Sequence, residues 1–267
     1  MTTPSFFQVA ALFLIPLLAV LVPVLIGQYY GIYRQKKSPD LKEFPVGAIV
    51  GAAVGLLGFM LAFTFQIAIN RYEARKLLLL EEVTSTRTTY LRAGLVPEPY
   101  RSNTRQQLVE YVDLRVALTA DYSKLNRAMS RSQQILDSLW SYTEVLAAQD
   151  RSSEAYALYT SSVNDMVDLY NQRVTTTLQY RIPVAVLWIL FIVEFLSMLA
   201  FGYQFGITGK GSFSLNLLLA TVFAVVMSLI FALDRPEIGL SRLNQKPMFT
   251  LQQQLHEKQM DVRPIAP

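Results

Sequence analysis

Few residues in this sequence could do chemistry, and the most conspicuous sits where charge is costly. Glu194 lies in the run ILFIVEFLSML, a carboxyl inside a stretch apolar enough for lipid. An unpaired charge at the centre of a bilayer costs about 2.5–3.5 kcal/mol or more. Glu194 must therefore face protein or water, find a partner, or hold a proton. It reads either as an ion or proton site or as an interhelical anchor bonded to Gln66, Asn216 or Ser197. Gln66 and Thr64 are uncharged and read as structural hydrogen-bonding groups.

A second constellation is a matter of spacing. Gly47, Gly51 and Gly55 recur four apart, and Phe59 and Phe63 continue the same helical face. Small residues at that interval let two helix backbones approach closely in lipid, which is the packing reading. The functional reading is a pathway that is wide at Gly51 and Gly55 and narrow at Phe59 and Phe63. Arg71 and Arg75 follow where this segment leaves its apolar run, and their charge would concentrate anions at a mouth. The alternative is that they snorkel to lipid phosphates or pair with Glu73.

Other chemistries have no foothold. The chain has no cysteine, which excludes disulfides, thiol nucleophiles and thiolate metal sites. Its single histidine, His256, falls in a polar stretch and reads as solvated. No phosphate-binding glycine loop, HExxH helix or GxSxG elbow occurs, so no catalytic residue, metal ligand or cofactor is expected, and the chain does not read as an enzyme.

The elements that would position these residues follow from composition. Hydrophobic residues make up 52% of the chain and charged residues 16%, and the apolar residues are clumped. Four runs suffice to cross a bilayer, which takes about 20 mostly apolar residues: Phe6 to Gly27, Phe44 to Ile69, Ile182 to Ile207 and Phe213 to Leu233. Lipid offers no hydrogen-bond partners, so each run must be a helix. The first lacks a positive leader and a small-residue cleavage site and reads as a retained helix. Pro16 and Pro23 should kink it or shorten its first segment.

The expected fold is an all-α membrane protein: four transmembrane helices, with a helical cytoplasmic domain (70–181) inserted between helices 2 and 3 and a polar C-terminal tail (234–267). The second helix should continue to Ala93, spanning about 70 Å at 1.5 Å per residue, until Gly94, Pro97 and Pro99 stop it. Stripes at spacings of three and four predict further helices over Arg105–Met129, Ser132–Ala148 and Ser153–Tyr180. The tail is Gln-rich and reads as loosely ordered or lying on a neighbouring subunit. Charges within 70–181 nearly cancel, which argues against a nucleic-acid partner.

An even number of spans puts both termini and the 70–181 domain on one side. There Arg71, Arg75, Lys76, Arg87, Arg173, Arg181, Arg235, Arg242 and Lys246 outnumber Arg34, Lys36, Lys37, Lys42 and Lys210 on the other. Positive-inside bias makes the domain side cytoplasmic.

Residues 57–73, LGFMLAFTFQIAINRYE, resemble the second helix of bestrophins without a gap. The order of parts is similar too: two spans, a helical domain, two spans, a tail. The closer resemblance is to bacterial bestrophin-like membrane proteins, through RYEAR, the segment from Thr89 to Pro97, and LDRP-x-x-G from Leu233 to Gly239. The resemblance implies a bacterial inner-membrane channel, mostly for small anions, assembled as a homo-oligomer, a pentamer in bestrophins, with the second helix lining the pore. Bestrophins narrow that pore with three bulky apolar residues; these fall on Gly51, Gly55 and Phe59, and only Phe59 keeps the bulk. Animal bestrophins also carry an acidic cluster after the fourth span. Here only Asp234 and Glu237 stand there, too few oxygens for a tight calcium site. The expectation is an oligomeric ion channel or channel-like pore lined by the second helix. Its rivals are a non-conducting scaffold or sensor that binds a partner through the helical domain, and a small-solute transporter.

Overall fold

A computed structural model describes residues 6–37, 46–120, 122–179, 181–209, 212–235 and 243–261. Lys42, Phe44, Tyr180, Lys210, Glu237, Gly239 and Arg242, all used in the sequence reading, lie outside these residues. The described residues form helices and short connections, with no strand among them. The helices are α1 (Phe6–Lys37), α2 (Val46–Arg92), α3 (Tyr100–Ala120), α4 (Leu125–Gln149), α5 (Glu154–Val174), α6 (Val184–Thr208), α7 (Phe213–Asp234) and α8 (Lys246–Asp261). Four are long and apolar enough to cross a membrane: α1, α2, α6 and α7. The chain divides into two compact units, one made mainly of residues 4–72 and 181–242, the other of 73–180 and 243–267.

In the first unit α1 and α6 meet backbone to backbone. A methyl group at Gly202 would overlap the Val24 carbonyl, one at Gly206 the Gln28 carbonyl, and one at Gly27 the Leu199 carbonyl. The signal was in the sequence: Gly27-x-x-x-Gly31 and Gly202-x-x-x-Gly206 are paired small-residue motifs. The packing reading given above concerns the glycines of α2, which are not part of this seam. Pro16 and Pro23 lie within a single helix. Pro16 has no N–H for the Leu12 carbonyl one turn back, and the Ser228 hydroxyl on α7 donates to that carbonyl at 3.0 Å. At the C-terminal end of α7, the Asp234 carboxylate accepts from the Ile182 N–H at 3.0 Å, fixing the entry to α6.

The second unit is a helical bundle around Leu79, Leu108, Tyr111, Leu136, Leu139, Leu146, Tyr159 and Val163. The buried stripe of α2 changes character here: Leu79 is followed by Glu82, Thr86 and Thr89 at spacings of three and four. The Glu82 carboxylate accepts from the Tyr111 hydroxyl and from Arg115 Nε at 2.8 Å, and it pairs with Arg173. The Arg115 guanidinium also lies over the rings of Tyr111 and Tyr170. Burial brings Arg173 down to about 10, which leaves it charged at neutral pH. A buried charge of this kind needs its countercharge. Nearby, Thr104 and the Tyr159 hydroxyl share a hydrogen bond at 2.8 Å, and desolvation pushes Tyr159 up to about 12.

Three boundaries differ from the sequence reading. α2 ends at Arg92 and tightens into a 3₁₀ turn over Ala93–Leu95 before Pro97. The break between the next two helices falls at the 3₁₀ turn Tyr122–Lys124, and α4 runs through Ser130 and Arg131, where the sequence reading places a break. Ser132 is buried, small enough to sit inside the α4 stripe of Ala128, Ile135, Leu136 and Leu139. Residues 246–261 are helical, which corrects the loosely ordered tail: Met248, Leu251 and Leu255 are buried in the second unit's core. Gln252 and His256 both reach the Asp113 carboxylate on α3, at 2.7 and 2.9 Å, so the lone histidine has a partner.

Candidate functional site

In its apolar half α2 presents two faces. Leu57, Leu61, Thr64 and Ala68 are buried against the first unit's core. The opposite face is bare. An added methyl at Gly51, Gly55 or Gly58 would meet nothing within 4 Å. Phe59 is 69% exposed and Phe63 62%, with Ile49 and Leu56 exposed beside them. Among the described residues of one protomer, the packing reading of Gly51 and Gly55 is thus not realised. Gly47 alone meets a neighbour, the Gln204 side chain of α6 at 3.0 Å from an added methyl. α2 is also held to α6 by the Ser197 hydroxyl, which donates to the Ala53 carbonyl at 3.2 Å. This is a lighter attachment than the glycine seam of α1 and α6.

The remaining predicted residues fall into separate places. Gln66 is exposed and donates to Asn70 at 2.8 Å, extending the bare face by one turn. Arg71 is partly buried, and its Nη1 has no hydrogen-bond partner among the described residues. Arg75, expected with Arg71 at the mouth, is 3% exposed. Glu194 is 2% exposed. None of its three expected partners bonds to it: Gln66 is bonded to Asn70, Asn216 to Gln28, and Ser197 to Ala53. Its Oε1 has no partner among the described residues. No group of His, Asp and Glu suited to a metal ion occurs among them.

Helices of this length and apolarity, with a second helical unit, define an all-helical membrane protein of four spans. The sequence profile of the Bestrophin-like domain matches residues 14–248, and the chain belongs to that family. Among solved structures, a variant of a bacterial bestrophin homolog from Klebsiella pneumoniae superposes with a TM-score of 0.66 at 17% identity, covering 91% of this chain and 98% of that one. A second variant of that homolog gives 0.67 at 15% identity, covering 92% and 97%. A structure described only as a membrane protein gives 0.66 at 16% identity, covering 89% and 97%. At such identities the likeness is one of fold. No curated protein matches the chain in sequence.

Proposed function

We propose that this protein is an oligomeric ion channel or channel-like pore of the bacterial inner membrane, lined by the bare face of α2. The observation that carries the reading is that face. Gly51, Gly55, Phe59 and Phe63 lie about one turn apart; among the described residues nothing packs on the two glycines, and both phenylalanines are exposed. Symmetric copies, five by analogy with bestrophins, would bring these faces to a common axis. The glycines would leave that axis wide, and Phe59 and Phe63 would form two apolar collars that gate by dewetting. Arg71 is the remaining candidate for a cationic mouth, with small inorganic anions as its partners.

The 70–181 domain and both termini are placed in the cytoplasm by the positive-inside bias. Ser152 is exposed and the chain has no native cysteine, so a Ser152→Cys variant tests this cleanly. An impermeant thiol reagent should leave it unlabelled in intact cells. The main reading is tested by purified protein in planar bilayers. Unitary currents that grow or leak in Phe59→Ala and Phe63→Ala support it. A bilayer that stays silent, with the protein assembled, favours the scaffold reading, in which the bare face of α2 only packs copies together.

A further inference from the structure

Within the four apolar segments 6–28, 46–69, 184–208 and 213–233, Glu194 is the only Asp, Glu, Lys or Arg. It is buried inside its own protomer, away from the bare glycine and phenylalanine face. Its level in the bundle follows from the glycine seam. Gly202 lies against the turn from Val24 to Gln28 and Gly206 against the turn from Gln28 to Ile32, so two turns earlier Glu194 falls level with the turn from Pro16 to Val20. The groups able to donate to a carboxylate at that depth are already committed. Ser197 donates to Ala53, Ser228 shares its proton between the Leu12 and Ala224 carbonyls, and Thr64 donates to Met60. A hydroxyl has one proton to give.

Within these segments no helix carries a countercharge. α1 carries no titratable group between Phe6 and Gln28, α2 none between Val46 and Ile69, and α7 none before Asp234, which is bonded to Ile182. On α6 the other titratable group is Tyr203, nine residues on and about 14 Å along the axis. A metal ion is no better supplied, since calcium or magnesium takes about six oxygens, usually several of them carboxylate, and no cluster of acidic or histidine side chains stands here among the described residues. What remains is the smallest cation. A protonated carboxyl is neutral, so the cost of a charge at this depth does not arise. It also carries a donor of its own for a nearby carbonyl.

We propose that Glu194 is a proton-binding site inside each protomer's bundle, separate from the α2 face and joined to it through Ser197. Ser197 stands three residues further on, on the same side of α6, and holds the Ala53 carbonyl between Gly51 and Gly55. Loss of the proton places a charge beside one of the few joints that tie α2 to α6. The charge draws water or a cation into the bundle and loosens that joint.

Infrared spectroscopy of the full-length protein in lipid tests the site without requiring conduction. The parent should show the carbonyl stretch of a protonated carboxylic acid at neutral pH, where ordinary carboxylates, at about 4, are ionised. Glu194→Gln should lose that band. If this variant does not assemble, Glu194→Asp should move the band, and titration of the parent alone still reads it. A parent spectrum without the band at neutral pH, or a band that persists in the assembled Glu194→Gln variant, overturns the site. The link to α2 rests on the channel reading and has its own arm. Ion flux should vary with pH in the parent and flatten in Glu194→Gln. A flux that ignores pH while the band titrates overturns the link. A protein that carries no flux fails the channel reading, and the infrared band still decides the proton site.

Discussion

Two glutamates, Glu82 in the helical unit and Glu194 in the membrane-spanning unit, are each 2% exposed. Glu82 is surrounded by donors: a tyrosine hydroxyl and two guanidinium groups converge on its carboxylate. Glu194 has apolar helices on every side and hydroxyls that have turned to backbone carbonyls. The same side chain is therefore an ionised tie in one unit and, on the proposal above, a neutral guest in the other. Burial alone does not say what a buried carboxyl does; the supply of donors does.

The largest expected effect breaks the first half of this comparison. Glu82→Leu strands Arg115 and Arg173 in the core without countercharge, a situation that costs about 3–5 kcal/mol. Thermal unfolding of the purified protein should show a large loss of stability. A melting temperature within a few degrees of the parent would mean that the tie is not structural. Next comes the glycine seam. Gly202→Leu should cost about 3 kcal/mol or more, because its side chain has to displace the α1 backbone. Gly55→Ala, with open space around it, should leave the protomer's stability within about 1 kcal/mol. Equal effects of the two would erase the distinction between seam and bare face.

Glu194→Gln sharpens the contrast between the carboxyls. If the native side chain is neutral, the neutral amide should change stability by about 1 kcal/mol or less, while Glu82→Gln, which removes a charge facing two arginines, should cost clearly more. The smallest effect concerns the helical unit's core. Tyr159→Phe leaves the buried Thr104 hydroxyl without its partner and should cost about 1 kcal/mol. Because desolvation pushes Tyr159 up to about 12 from 10, its contribution is intact below pH 10 and fades as pH rises toward 12. The variant should lose that part of the alkaline unfolding curve.

The four spans were legible because lipid leaves an apolar run of that length little choice but helix. The bare and buried faces of α2 were legible in part. Spacing put Gly51, Gly55, Phe59 and Phe63 on one face, but spacing cannot say whether a glycine face is packed. The seam glycines Gly27, Gly31, Gly202 and Gly206 carry the same motif, and only the partner helix reveals which copy is used. The burial of Arg75 was not legible, because a helix leaving its apolar run meets new neighbours that its own sequence does not name. Glu82 was missed for a related reason. It stands in the ordinary-looking run LEEVTSTRTT, and its donors Tyr111, Arg115 and Arg173 come from α3 and α5. Its place in the stripe Leu79, Glu82, Thr86 and Thr89 was the one available sign.

The central claim, that the bare face of α2 borders water in the assembled protein, is open to a direct measurement. The chain contains no cysteine, so single cysteines at Gly55 and Leu57 can be compared on an otherwise silent background. A small water-soluble thiol reagent is added to each variant in planar bilayers. Current through Gly55→Cys should fall as the reagent bonds to the thiol, and current through Leu57→Cys, buried on the other side of the helix, should hold steady. A conducting protein in which Gly55→Cys is insensitive, or in which both positions respond alike, would contradict the account and put the pathway on another helix.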